Sequence, residues 1–508
     1  MSNDTKILSL PELADYLRQL RSEPSTSPPR IVHCHGVFDL LHIGHIRYLQ
    51  KAAKLGDLLI VTVTPDRFVN KGPHRPAFHE RLRVEALAAL DCVDFVAINT
   101  DPVACTAIRL LRPDIYAKGA EFRDRKTPEL EEEERVATEV GTRVEFVEEL
   151  TSSSSQLLNK YLSPFDEATE QYLQQFRERF PLEVVLEQID RFRKLNVLVV
   201  GEAIIDEYYG CSASGQSAKA PILTARYESH QRYAGGAVAL ANHLAPFCKQ
   251  LDLVTMLGDQ DSQESWLRNQ LRPGIGFHFL TKLQSPTIVK RRYRESYFGV
   301  PLFAIHFLSE QPLSREEEQQ LCSLLDGIER YDLVVVADYG HEMLAPTAVD
   351  RLCQQARFLA VNTQANSANG GFHTISKYPR ADFVAMAERE LKLECRRRTG
   401  PLEPMLVDVG KRLYASSLVV TLGSRGCLGY HRRHGHHRAP SLATRVVDRV
   451  GAGDAFFGIA ALCAAIDAPS ELLAFLGNIA GAEAVAVVGS SRTLEPLAMR
   501  RHIESLFK

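Results

Sequence analysis

Two stretches of this chain hold residues whose types and spacing suit chemistry at phosphorus. The first is HGVFDLLHIGH, from His35 to His45. It reads as a strand ending at Gly36–Asp39 and a helix beginning near Ile43, so unpaired N–H groups and the positive end of a helix dipole face outward between them. Gly36 and Gly44 let a ligand come close to the main chain, and His42 and His45 stand at the mouth, able to donate hydrogen bonds to phosphate oxygens. Transfer at an α-phosphorus needs positioning and charge neutralisation more than a protein nucleophile. The second stretch is DRVGAGDAFFGIAALCAA, Asp448 to Ala465. Here the amides of Gly451, Ala452 and Gly453 open an apolar helix, with Asp454 among them. An acid beside an anion hole suits phosphoryl transfer to an alcohol: the carboxylate takes the hydroxyl proton while the amides hold the transferring group. Taken alone, HxxH also fits surface residues or helix caps, and GxGD a glycine turn feeding a packed helix.

The elements that must position these residues alternate. After a short helix from about Leu10 to Arg21, SEPSTSPP marks a loop. RIVHCHGVFD, DLLIVTVTPD, VDFVAI, PDIYAKG and VEFVEEL then read as strands separated by amphipathic helices, the pattern of a parallel sheet wound on both sides. A charged helical stretch, Phe165–Arg193, leads to a second such series: LNVLVVGEAIID, DLVVVADYG, FLAVNTQ, ADFVAMAE and SLVVTLGS. The expected division is residues 1–28 as an N-terminal helix and loop, 29–162 as one α/β domain, 163–194 as a helical connector and 195–508 as a second α/β domain.

Bulk properties agree with such an organisation. The chain has 508 residues, enough for roughly two to four cores. It is 45% hydrophobic and 24% charged, with a net charge of −3 that gives no case for nucleic acid or an anionic membrane surface. Ten cysteines are scattered with no CxxC pair, against a disulfide framework or zinc ribbon and in keeping with a reducing cytosol. No signal-peptide pattern opens the chain, and the longest apolar run, near Ala455–Ile466, falls short of the ~20 residues that cross a bilayer. A cytoplasmic protein is expected.

The string around His42 resembles the HxGH signature of the cytidylyltransferase-like nucleotidyltransferases. The resemblance continues in order through KAAKLGDLLIVTVTPD, KGPHRPAFHERLRVEALAALDCVDFV, LRPDIYAKGAEF and TSSSSQLL. It is most similar to the adenylyltransferase part of the bifunctional enzyme family of ADP-heptose synthesis. The resemblance implies that Phe38, Asp39, His42, Gly44 and His45 form the first phosphate-binding turn, with Asp66 near the ribose or acceptor pocket. It also implies that Lys71 and Arg75 meet the triphosphate or acceptor phosphate, that Lys118 and Gly119 form a KG turn, and that Ser153, Ser154 and Ser155 open a last helix as a second anion site.

The second half resembles the ribokinase-like, PfkB-type sugar kinases, again in the heptose branch. GEAIID (Gly201–Asp206), RYAGGAVALANHLA (Arg232–Ala245), KAPIL, SPTIVKRRY, ADYGHEML and VTLGSRGCLGY (Thr421–Tyr430) accompany GAGD in the family's order. The resemblance implies Asp454 as base, with Gly451, Ala452 and Gly453 as anion hole. Asp206, Gly235 and Gly236 would bind sugar, Lys290 and Arg292 a sugar phosphate, and Thr421, Gly423 and Gly426 the adenine nucleotide; Asp338 ends a strand at the cleft. Three positions depart from the family. Its sugar-binding Asn is Ala239, with Asn242 nearby; its magnesium-organising NxxE is Ala387–Glu390, leaving only Glu390; and its acid-Pro-Lys run is Asn362-Thr363-Gln364, in the unusual string VNTQANSANGGFHT. Each lost donor would cost about 1–3 kcal/mol if it left a buried partner unpaired.

The implied fold is α/β with two doubly wound domains, a Rossmann-like HxGH nucleotidyltransferase and a ribokinase-like kinase, in the inverse of the order usual for the bacterial heptose enzyme. The implied function is nucleotide-sugar synthesis: ATP-dependent phosphorylation of a sugar or sugar phosphate, and nucleotidyl transfer from ATP, or from CTP, to a sugar 1-phosphate. Both steps imply Mg²⁺. Small sugar phosphates and nucleotides would be the partners, with a homodimer and a separate phosphatase acting between the two steps. An alternative is a cytidylyltransferase for a phospho-alcohol such as glycerol phosphate, with the kinase fold as a non-catalytic binding or dimerisation module. Among lesser signals, RRHGHHR (Arg432–Arg438) reads as a hairpin loop rather than a metal site, ELEEEER (Glu129–Arg135) as an exposed helix face, and Trp266 as a packing residue.

Overall fold

The computed structural model describes residues 6–22, 28–69, 76–120, 123, 127–147, 165–217, 219–297, 299–366 and 369–507. Two units divide at Pro164 and Phe165. In the first, five parallel strands, β1 (Ile31–Gly36), β2 (Leu58–Val63), β3 (Phe95–Ile98), β4 (Ile115–Gly119) and β5 (Arg143–Val147), lie in the order 3-2-1-4-5. Strand period sorts the sheet's two faces. Leu59, Val61 and Val63 pack with Leu49, Val84 and Leu87 of two helices. Ile60, on the opposite face, meets Leu10, Leu13 and Leu17 of the helix Leu10–Ser22, so that this helix is part of the first unit's core. The order reverses between β1 and β4, and a crevice at the carboxyl ends of strands where order reverses is the place an open α/β sheet offers a ligand.

The second unit holds a nine-stranded sheet and a four-stranded one. Its strands are β6 (Asn196–Gly201), β7 (Ala203–Gln216), β8 (Leu223–Gly235), β9 (Gln250–Gln260), β10 (Gly276–Pro286), β11 (Ile288–Glu295), β12 (Pro301–Phe307), β13 (Leu333–Asp338), β14 (Leu359–Thr363), β15 (Phe383–Ala387), β16 (Ser417–Thr421), β17 (Cys427–His431) and β18 (Gly435–Ala439). The large sheet runs 10-9-6-13-14-15-16-17-18, parallel from β10 to β16 and closed by two antiparallel strands. The small sheet runs 12-11-7-8. Residues expected as a connector form two helices, Glu167–Arg179 and Leu182–Phe192, whose Leu173, Phe176, Val185, Ile189 and Phe192 join the second unit's core. RRHGHHR is the turn and second strand of the β17–β18 hairpin. Trp266 is partly buried against the core, with the Arg232 guanidinium 4.5 Å from its ring.

Candidate active sites

In the first unit, helix Ile43–Ala53 begins just beyond the end of β1, where the sheet order reverses. His42 is its N-cap, and Nδ1 accepts the Gly44 N–H at 3.1 Å. That bond fixes the tautomer: a ring that accepts at Nδ1 carries its proton on Nε2. Nε2 has no hydrogen-bond partner among the described residues, so the ring keeps a donor for an anion. Burial lowers the His42 pKa below the ordinary imidazole value. His45 stacks on His42 with ring centroids 4.1 Å apart, and Phe38 meets His45 edge-on at 5.5 Å. Phe38 adopts a left-handed backbone (φ 47°), folding its ring back toward Gly36, where an added Cβ would come within 3.0 Å of it. Asp39 is buried and its Oδ1 accepts the Phe78 N–H at 3.1 Å. The structure thus brings Gly36, Phe38, Asp39, His42, Gly44 and His45 together. Lys71, Arg75, Ser153, Ser154 and Ser155 lie outside the described residues.

Several side chains that hold this site were not singled out in the sequence. Arg83 is fully buried and donates to the carbonyls of Phe78, Val37 and Thr64 and to the Asp66 carboxylate. It ties the segments leaving β1 and β2 to one point. Asp66, expected at a ligand pocket, is held by Arg83 and also accepts the Glu80 N–H at 3.1 Å. Replacing Arg83 with Met would leave three carbonyls and a carboxylate without their donor. A loss of about 3–5 kcal/mol is expected, read as an earlier urea midpoint of the first unit. Behind the site, His33 Nε2 (2.7 Å) and His35 Nδ1 (2.9 Å) share the Thr62 hydroxyl, and His35 Nε2 reaches Thr64 at 3.2 Å. Burial pushes both imidazoles down to about 3, so they stay neutral and lock the ends of β1 and β2.

Lys118, next to last in β4, pairs with Glu133 at 2.7 Å. Glu133 Oε1 also accepts the Ala104 N–H at 2.9 Å. The run ELEEEER is therefore not wholly an exposed face: Glu133 is buried, on the stripe that carries Leu130, Val136 and Ala137. That spacing, three residues after Leu130 and three before Val136, is the signal that separates it from its acidic neighbours.

In the second unit Asp454 is buried in the first turn of helix Ala452–Ala465, whose N-cap is Gly451 (φ 81°). Burial pushes its carboxyl up to about 7; Asp206 and Glu390 add to the rise, while the Tyr339 hydroxyl and Lys290 oppose it. Gln364 Nε2 donates to Asp454 Oδ1 at 3.1 Å. Asp206, on β7, pairs with Arg292 of β11 and stands in register with Lys290, which burial makes less basic. The paired glycines lie over this acid: a Cβ on Gly235 would sit 2.2 Å from Asp206 Oδ2, and one on Gly236 (φ 57°) 2.5 Å from the Glu202 carbonyl. Glu202 itself is fully buried and accepts the N–H groups of Tyr339 (3.0 Å) and His341 (2.9 Å), fixing the turn that leaves β13.

Asp338, at the end of β13, is not open to a ligand. Tyr378 donates to it at 2.6 Å, Lys377 lies 2.6 Å away and His373 3.0 Å away. Those donors hold its carboxyl well below the ordinary range against the cost of burial. Asn242, which lies near the Ala239 that stands at the family's sugar-binding Asn position, donates to the Gln270 carbonyl and accepts from Arg272 N–H, both at 2.9 Å, and so is occupied by the fold. Thr421 ends β16, and Gly423 and Gly426 follow it. At Gly426 (φ 83°) an added Cβ would lie 2.0 Å from the Ala439 carbonyl, so this loop requires glycine.

For a metal, Glu390 is the one candidate from the sequence. Its Oε2 accepts Ala387 N–H (2.6 Å) and its Oε1 accepts Ala365 N–H (3.0 Å). Among the described residues no group of three or more His, Cys, Asp or Glu could hold an ion. The described residues do not form a protein cage for Mg²⁺.

A buried carboxylate on a helix N-terminus at the carboxyl edge of a parallel sheet is an arrangement suited to phosphoryl transfer. Residues 194–496 match the model of the pfkB family carbohydrate kinases, and the chain belongs to that family. Residues 33–160 match the cytidylyltransferase-like model, so the transferase-like region precedes the kinase region. Among curated proteins, the chain is similar to the bifunctional protein HldE of Geotalea uraniireducens, 41% identical over 147 residues and 28% of each chain. The HldE of Syntrophotalea carbinolica is 35% identical over 167 residues, 32% of each. The chain thus spans about a third of the length of these relatives, within the cytidylyltransferase-like region. The structure of phosphofructokinase-2 from Escherichia coli in complex with potassium covers 62% of this chain and 100% of its own, at 16% identity and a TM-score of 0.49. The phospho-alcohol cytidylyltransferase alternative is not favoured by relatives that are bifunctional HldE proteins.

Proposed function

We propose that this protein is a bifunctional enzyme of nucleotide-sugar synthesis. The second unit phosphorylates a heptose-like sugar phosphate from ATP, and the first joins a sugar 1-phosphate to a nucleotide. The observation that carries this reading is that each unit places chemistry of the matching kind at a helix start on its sheet's carboxyl edge: an Nε2–H donor on His42 and a buried carboxylate on Asp454.

In the kinase step Asp454 takes the proton of the acceptor hydroxyl, and the oxygen attacks the γ-phosphorus of ATP. The bond from that phosphorus to the β–γ bridging oxygen breaks, ADP leaves, and the proton passes from Asp454 to solvent. A carboxyl near 7 is a base matched to neutral pH. Asp206, Arg292 and Lys290 would hold the acceptor, and the N–H groups at Gly451–Gly453 the transferring phosphoryl group. In the transferase step an acceptor phosphate oxygen attacks the α-phosphorus, and pyrophosphate leaves. His42 and His45, over the helix N-terminus, would donate hydrogen bonds to the charge that develops there, with Lys118 near the end of the adjacent strand. Mg²⁺ bound to the nucleotide would supply charge shielding at the phosphates, while the residues named above bind and orient the reactants.

Two features bear on partners and setting. The small sheet leaves Tyr227, Phe303, Ile305 and Phe307 exposed, a surface suited to the homodimer this reading includes. All ten cysteines are free thiols, in keeping with a cytoplasmic enzyme. A separate phosphatase would act between the steps if, as in the heptose branch, the kinase product carries two phosphates. The test is pyrophosphate release with ATP or CTP against a panel of sugar 1-phosphates. Release with ATP and a heptose 1-phosphate is expected; release only with CTP and a polyol phosphate would overturn the sugar-nucleotide reading.

A further inference from the structure

The unusual string NTQANSANGGFHT, whose Asn362 and Thr363 close β14, is left without a role by the reading above. Its first side chain beyond the strand, Gln364, meets the buried base: Nε2 donates to Asp454 Oδ1 at 3.1 Å. The backbone of Gln364 is fixed on both sides, its N–H donating to the Asp338 carbonyl (2.9 Å) and its carbonyl accepting from Asn369 Nδ2 (2.9 Å). Asn369 is in turn locked to Asn366 by two reciprocal side-chain-to-backbone bonds of 3.0 Å, and Asn366 Nδ2 donates to the Tyr339 carbonyl at 2.7 Å. The asparagines form a scaffold whose product is a fixed position for one amide. The cations of the same segment are directed elsewhere: His373 and Lys377 both face Asp338.

We propose that Gln364 is a positioning residue of the kinase centre: its amide N–H holds the Asp454 carboxylate with Oδ2 turned to the acceptor hydroxyl, and it adds no positive charge beside the base. This rests on the kinase reading of the second unit. The groups that face Asp454 from the packed elements are Asp206 on β7, Lys290 on β11, the Tyr339 hydroxyl after β13 and Glu390 on the helix Glu388–Glu394. Two acids against one lysine favour a strong base. A second cation at position 364 would weaken it, because an opposite charge at this range stabilises the ionised carboxylate. A neutral amide orients the carboxylate without that effect.

The test compares the full-length chain with Gln364→Leu and Gln364→Lys, using MgATP and a heptose 7-phosphate over a range of pH. Gln364→Leu is expected to lower kcat about 10- to 100-fold with KM for ATP little changed, the size of one hydrogen bond to a charged group. Gln364→Lys keeps a donor and is expected to move the acid limb of kcat/KM down by about one pH unit or more. A Gln364→Leu kcat within about twofold of the parent, or an acid limb unmoved by lysine, would overturn the proposal. Thermal unfolding against pH without substrate, with and without Asp454→Asn, reads the same coupling independently of turnover. The pH span over which Asp454 weakens the fold should move down in Gln364→Lys; an unmoved span counts against Gln364. Absence of turnover in the parent chain counts against the kinase reading alone, and the unfolding measurement still decides the role of Gln364.

Discussion

Asp454→Asn is expected to lower ATP-dependent phosphorylation by about 10²- to 10⁴-fold, the usual contribution of a general base, and at the same time to make the protein more stable at pH 8. The two effects have one cause. Burial is the main reason this carboxyl titrates near 7 in the folded chain, with Asp206 and Glu390 adding to it, whereas an unfolded aspartate titrates near 4. The folded state therefore holds its proton more tightly than the unfolded one. Below the unfolded value both states are protonated and the residue is neutral in its effect. Stability is lost progressively as pH rises from about 4 through about 7, and the deficit is constant above that. Its order of magnitude is roughly 4 kcal/mol. Asparagine has the same shape, can still accept the Gln364 N–H, and never ionises. Unfolding midpoints of parent and variant should coincide near pH 4 and diverge up to about pH 7, with the variant higher. A variant that loses activity but follows the parent at every pH would mean that Asp454 is not a buried acid under strain.

What was legible in the sequence and what was not follows from the distance between partners. The helix starts at His42 and Gly451 and the strand–helix alternation are local patterns, and the structure holds helices from Ile43 and from Ala452 within two alternating units. Glu202, by contrast, fixes a turn more than 130 residues further along the chain, and Arg83 reaches back 46 residues to the Val37 carbonyl. Nothing in GEAIID or ERLRVEAL distinguishes these from ordinary surface charges. The same limit applied to the departures from the kinase pattern. Gln364 reads as a lost lysine, yet in the fold it is a neutral donor to the buried Asp454 carboxylate. Asn242 lies near the altered position in the sequence, yet it closes a turn between Gln270 and Arg272. Only Glu133 left a readable trace, since it interrupts an apolar stripe at helical spacing.

His42→Asn is expected to reduce nucleotidyl transfer by about 10²- to 10³-fold, the scale of removing one preorganised donor from a developing anion, while leaving thermal stability nearly unchanged. Asparagine is chosen because His42 has two separable duties. As N-cap it accepts the Gly44 N–H through Nδ1, and asparagine caps helices as well as any residue. As anion donor it offers Nε2–H, which asparagine's shorter side chain does not bring to the same place. His42→Ala removes both, so a fall in stability of about 1 kcal/mol belongs to the alanine variant only. The cap also sets the pH response. Protonating the ring puts a hydrogen on Nδ1 and breaks the bond to Gly44, and burial already lowers the pKa. Transferase activity should hold at pH 6.5, where an ordinary imidazole is half protonated, and fall at lower pH as helix Ile43–Ala53 loses its cap. Pyrophosphate release measured across that range, beside the unfolding midpoints of both variants, checks all three expectations. Equal activity losses with equal stability losses in the two variants would reduce His42 to a cap and leave the anion to be held by the helix amides alone.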